Sequence, residues 1–236
     1  MPTTQSFPTR RLVTWFLLLA TALMVGGCDG CRKKARDKYF QYLETVGFEK
    51  REMLVKRVDK ARDAQEDAQE QFEDALEEFR ALIGHQGGEL GAKYDKLKGE
   101  YEDAESRAEN VRERIRKVEN VAGSLFDEWQ AEIAVFENET YKRQSQEQLR
   151  TTKARYEKVL KAMQQAAKSM DPVLAKLRDQ VLYLKHNLNA QALGSLDQQA
   201  DLLQADVGQL ISDMQASIAE ADRFIAEMTQ KAEEGG

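Results

Sequence analysis

Cys28 and Cys31, the only two cysteines of the chain, are the residues whose type and spacing come closest to a reactive pair. A C-x-x-C arrangement serves thiol–disulfide exchange, or supplies half of a zinc site. Neither chemistry finds support nearby, because no strand–helix–strand pattern surrounds the pair and no further cysteine exists. The histidines are His85 and His186, and the positions three before them are Leu82 and Tyr183, so the Glu-x-x-His ligands of a di-iron site are missing. There is no G-x-S-x-G, no phosphate-cradling glycine loop and no H-E-x-x-H. The carboxylates from Glu66 to Glu78 read as a solvated helix face with at most weak, unspecific affinity for divalent cations. Asn138-Glu139-Thr140 has the form of a glycosylation acceptor. These residues predict no catalytic centre, no cofactor and no metal.

The segment that places Cys28 is more informative. Arg10 and Arg11 precede an apolar run from Leu12 to Val25, which ends in Gly26, Gly27 and Cys28. A charged start, an apolar centre and a small-residue exit are the parts of a secretory signal. The run falls short of the about 20 apolar residues that span a bilayer. Val25-Gly26-Gly27-Cys28 resembles a lipobox, which implies cleavage between Gly27 and Cys28, with Cys28 bearing palmitate-type acyl chains as the new N-terminus. Cys31 is then left as a single thiol. The alternative is an uncleaved anchor, whose following Arg32, Lys33, Lys34, Arg36 and Lys38 would favour a cytoplasmic side.

Asp29 after the modified cysteine resembles the inner-membrane retention signal of enterobacterial lipoproteins. It implies a protein anchored by lipid on the periplasmic side, with the inner membrane favoured over the outer. The same five basic residues lie where they would meet anionic head groups at roughly a kcal/mol each, or else form part of a solvated tether.

Removal of residues 1–27, which hold Arg10 and Arg11 and no acidic residue, takes the formal charge from −6 to −8. That excludes nucleic acid as the main partner. Charged residues are 32% of the chain, aromatics 8%, and Pro172 is the only proline after Pro8, a bias toward long solvent-bathed helices.

The rest is written in heptads. Leu54, Val58, Ala61, Gln65, Ala68, Phe72, Ala75, Phe79 and Leu82 follow one another by fours and threes, with acidic residues on the other faces. Gln65 either fixes register as a buried polar residue or sits partly exposed. A second seam runs Leu90, Tyr94, Leu97, Tyr101, Ala104, Ala108, Val111, Ile115, Val118. The glycine-rich link at 84–89 makes these two an antiparallel hairpin. Past Gly123, the spacing of Leu125, Trp129 and Ile133 slips by an extra residue, and Ser124 offers a helix cap. Trp129 and Phe136 read as core aromatics. A third seam includes Leu149, Tyr156, Val159, Met163, Met170, Leu177 and Leu184, with a kink or restart at Asp171-Pro172. The last, from Leu196 through Ala200, Leu203, Val207, Leu210, Met214, Ser217, Ala221 and Phe224 to Met228, follows a break at Gly194.

The sequence therefore predicts an all-α protein, an elongated antiparallel helical bundle or coiled coil of four to five long helices. Residues 1–27 are a lipoprotein signal peptide, 28–41 a lipidated basic tether, 42–232 the helical body with breaks near 123, 171 and 194, and 233–236 a disordered tail. Four seams can bury one another without a partner, and homo-oligomerisation stays open.

The stretch Tyr42-Leu43-Glu44-Thr45-Val46-Gly47-Phe48-Glu49-Lys50-Arg51-Glu52-Met53-Leu54-Val55, continuing through Val58 to Glu66, resembles an uncharacterised proteobacterial lipoprotein family, domain of unknown function 2959. The likeness covers the mature chain and is clearest from Tyr42 to Phe79. It implies the address and the helical class and supplies no mechanism. The expected role is a non-enzymatic envelope lipoprotein whose helical rod spaces or recruits an envelope protein partner. The alternative is a lipid- or peptidoglycan-related ligand carrier or hydrolase with a cavity where the heptad phase slips near Trp129.

Overall fold

The computed structural model describes residues 29–84, 90–189 and 193–234, with side chains from Glu49 onward to Gln230. Four long helices make up these residues, and no strand occurs among them: α1 (Asp29–Ile83), α2 (Leu90–Ala134), α3 (Glu139–His186) and α4 (Asp197–Glu234). The chain divides between Thr45 and Val46 into two units, and the packing described below belongs to the second.

The seams are where the core lies. Every member of the first, from Leu54 to Leu82 and including Gln65, is fully buried. Leu97, Ala104, Ala108, Val111 and Val118 of α2, Met163, Met170, Leu177 and Leu184 of α3, and Leu203, Leu210, Met214 and Phe224 of α4 are buried with them. One apolar stripe per helix, covered on both flanks by charged residues, can be removed from water only by stacking against other stripes.

Polar pairs on the rims show which helices adjoin. On the α1–α2 flank Lys50 meets Glu128, Asp67 meets Arg107, and Glu78 meets Lys96. Arg112 meets Asp171 and Gln164 donates to Glu119 between α2 and α3. Arg155 meets Glu227, Ser169 donates to Asp213, and Lys176 meets Asp206 between α3 and α4. Arg62 with Asp222 and Arg80 with Asp201 join α4 to α1. On every flank residue numbers climb along one helix as they fall along the other, so adjacent helices are antiparallel and the fourth closes on the first. Each exposed pair contributes only about 0–1 kcal/mol, so the buried stripes supply most of the cohesion.

Several expected boundaries are displaced. Helix α2 continues through Gly123 and Ser124, because a glycine in an exposed helix interior costs only about 1 kcal/mol and burial of Ala122, Leu125 and Phe126 exceeds that. Ser124 caps nothing and instead accepts a hydrogen bond from Lys50 Nζ at 3.0 Å. No restart occurs at Asp171-Pro172, since Pro172 lies inside α3 between buried Met170 and Val173. A break not foreseen falls at 135–138. There α2 closes with tight Val135 N–H to Glu132 and Phe136 N–H to Ile133 bonds, and Asn138 begins α3 by accepting from Thr140 N–H (2.9 Å) and Tyr141 N–H (3.3 Å). Asn138 is thus a helix cap. The interruption around 194 falls between α3 and α4, while the proposed link at 85–89 lies outside the described residues apart from its flanking helix ends.

Residues 29–41, expected as a tether, are helical in α1, in keeping with the good helix propensity of their Lys, Arg and Ala. At the other end α4 reaches Glu234, two residues into the expected tail.

Candidate functional site

Gly27 and Cys28, the expected cleavage and lipidation positions, lie outside the described residues, as does His85. Asp29, the expected sorting residue, is the first residue of α1. His186 is exposed in the last turn of α3. Among the described residues no three His, Cys, Asp or Glu side chains converge on a metal position, and no helix is long and apolar enough to cross a membrane.

The densest polar constellation surrounds Trp129, where the heptads slip. A four-residue step from Leu125 to Trp129 and another to Ile133 rotates the stripe, and Leu125, Phe126, Trp129 and Ile133 all become buried. Trp129 Nε1–H donates to Ser145 Oγ on α3 at 2.9 Å. Arg51 of α1 stacks on the indole, its guanidinium carbon 4.3 Å from the ring centroid. One turn earlier on α2, Phe126 meets Tyr156 edge to face with centroids 5.3 Å apart.

Charges pack beside the indole. Lys50 Nζ is 2.7 Å from Glu128 Oε2. Glu132, one turn after Glu128 on the same face of α2, has a buried Oε1 with no hydrogen-bond partner among the described residues. Burial, reinforced by Glu128, holds the Glu132 carboxyl above the usual range, against the pull of Arg51 and Lys50. Although much of Arg51 is open to solvent, dehydration of its guanidinium against the ring lowers its pKa, with Glu132 acting in the opposite sense. Burial, together with Glu119 and Glu157, pushes the Tyr156 hydroxyl up to about 12, so it is neutral at physiological pH.

Physically this constellation is a clamp: Arg51 and Lys50 bind α1 to α2, and the indole N–H binds α2 to α3. Leu125, Phe126, Trp129 and Ile133 are buried at the heptad slip, where the alternative reading expects a ligand cavity. Two shallow grooves do occur among the described residues, and both lie between α1 and α4. One is bordered by Glu66, Glu70, Gln215 and Ile218, the other by Glu73, Leu76, Val207 and Ile211. Composition alone did not reveal them. The available signal was the absence of Lys and Arg from residues 63–79 and 197–222, with Arg80 at the edge of the second groove.

The described residues form an all-α protein of four long helices, with polar contacts on the rims, at the Trp129 clamp and at a buried Ser217–Gln65 pair. The chain belongs to the DUF2959 family, proteins of unknown function, whose profile matches residues 39–228. No curated protein matches it.

Proposed function

We propose that this protein is a periplasm-facing envelope lipoprotein, anchored through acylated Cys28, whose helices form an elongated antiparallel bundle with coiled-coil packing that recruits or spaces a protein partner. The observation that carries the reading is the run Leu12–Val25 ending directly at Gly26-Gly27-Cys28, ahead of a body with four buried heptad seams. A run too short to span but long enough to engage the export machinery favours cleavage. Asp29 at the position after the anchor favours the inner membrane. Helices of 45 and 48 residues, at 1.5 Å per residue, reach roughly 70 Å, a length suited to presenting a surface away from a lipid anchor.

The test is metabolic labelling with an alkyne palmitate analogue in cells expressing the chain or its Cys28→Ala variant, followed by membrane fractionation. Label on the first and none on the second, with the first in the inner-membrane fraction, is the expected result. Equal labelling of both, or a chain that keeps residues 1–27, overturns the anchor. Proximity crosslinking in intact cells tests the recruiting role, which fails if no envelope protein is captured and deletion leaves envelope integrity unchanged under stress.

A further inference from the structure

The flank between α1 and α4 differs from the other three. Arg62–Asp222 and Arg80–Asp201 close it at two points, and among the described residues no ion pair crosses the rim between them. Between those two points neither wall supplies a Lys or Arg of its own. From Asp63 to Phe79, α1 carries eight Asp or Glu and no Lys or Arg; from Asp197 to Asp222, α4 carries six and none. Some of these acids are satisfied elsewhere: Asp67 and Glu78 by α2, Asp206 and Asp213 by α3. Glu66, Glu70, Glu73 and Glu77 border the grooves, and the one hydrogen bond given to any of them is from Gln69 to Glu73 within α1.

Beside this acidic α1 rim the floor is apolar. Leu76, Ile211 and Ile218 are half-buried there, beside fully covered Val207. The α4 wall is low, because Gly208 and Ala219 carry little or no side chain, and a Cβ added at Gly208 would meet nothing within 4 Å. An open apolar trough with small residues on one wall admits a helix, and the anionic α1 rim selects its sign.

We infer that the α1–α4 trough docks an amphipathic helix of a partner protein, one that sets Lys or Arg on the flank of its apolar stripe that faces α1. This deepens the recruiting role proposed above by naming the surface and the chemistry of the partner. The stripe covers Leu76, Ile211 and Ile218, while the flanking cations meet Glu66, Glu70, Glu73 and Glu77, which lie on one side of α1 at steps of three and four.

The test uses the whole mature chain carrying Cys28→Ser, so that acylation plays no part and failure of the anchor is seen separately. The probe is a fluorescent 18-residue helical peptide of Leu and Lys, and the control is the same peptide with Glu in place of Lys. Anisotropy titrations at about 0.15 M salt, where surface attraction beyond roughly 8 Å is screened, should detect the Lys peptide alone. Glu66→Gln/Glu70→Gln/Glu73→Gln should weaken it about tenfold, and Gly208→Trp/Ala219→Trp, which fills the trough without changing charge, by at least as much. The matched Glu102→Gln/Glu105→Gln/Glu109→Gln set on α2 should change it less than about twofold. Circular dichroism confirms that each variant is helical. The inference is overturned if the two triple variants weaken binding equally, if the tryptophans leave it intact, or if the peptide seeds self-association in place of one-to-one binding.

Discussion

The Ser217 hydroxyl donates to the Gln65 side-chain carbonyl across 2.8 Å, joining residues 152 positions apart that are both wholly buried in the α1–α4 seam. Gln65 occupies a heptad position otherwise taken by Ala, Val, Leu and Phe, and its Nε2 has no partner among the described residues. A buried polar contact of this kind discriminates against registers in which either group faces apolar side chains.

Ser217→Ala should therefore destabilise by about 1–2 kcal/mol, because it strands the Gln65 carbonyl as well as its amide. Gln65→Leu with Ser217→Ala should restore or exceed wild-type stability while loosening register. Urea denaturation reads the first effect. A short bifunctional thiol cross-linker on cysteines replacing Arg62 and Asp222, in a chain whose Cys28 and Cys31 are serine, reads the second: the wild-type core should give one intramolecular product, the apolar core a mixture. A single product from both cores would remove the register role.

Glu132 makes a pH prediction. Its carboxyl is raised by burial and by Glu128, so the folded state holds a proton more tightly than the unfolded chain does. A raised carboxyl carries no penalty below the unfolded value. The penalty grows as pH rises from there through the folded value and is fully present above it. Glu132→Gln should therefore raise Tm at pH 7 by a degree or two, on the order of half a kcal/mol, and the difference should vanish near pH 3.5. Paired thermal melts across that range decide it. A gain that persists at low pH would assign the effect to packing.

Trp129 is the centre of the clamp, and with residues 1–27 removed it is the only tryptophan, since the other is Trp15. Trp129→Phe keeps most of the buried area and loses both the donation to Ser145 and the better surface for Arg51. We expect a loss of about 1–2 kcal/mol, against about 3–5 for Trp129→Ala. If Trp129→Phe and Ser145→Ala prove additive in a double-mutant cycle, the hydrogen bond contributes nothing to the clamp.

These residues also show what was readable beforehand. The first seam could be written down from spacing alone because a long helix with one apolar face has a single way to bury it, and Leu54 through Leu82 are all covered. The end of α2 could not, because the link at 135–138 contains neither Gly nor Pro. Its punctuation is a single capping side chain, Asn138, inside a sequon-like triplet. Gly123 and Pro172 misled in the opposite direction: both lower local helix propensity, and both lie where buried neighbours on either side outweigh that deficit. The clamp was half-visible. The slip at Trp129 marked the place, but Arg51, Lys50 and Ser145 come from other helices and only the pairing of those helices brings them there.

Pro172 allows that competition to be measured. It is exposed inside α3, so its ring adds little to the core, while it removes the N–H that would bond the carbonyl of Lys168 and crowds that carbonyl. Pro172→Ala should restore the bond and relieve the crowding, a gain of up to about 3 kcal/mol, reduced by about 0.4–1 kcal/mol for the added freedom of the unfolded chain. The net should be about 1–2 kcal/mol, or roughly 2–8 °C in Tm for a chain of this size. Slower amide exchange confined to the turns around Lys168 and Lys176 should accompany it. A Tm that stays level or falls would mean that α3 bends at Pro172 and that the surrounding contacts of Met170, Val173 and Arg112 depend on the bend.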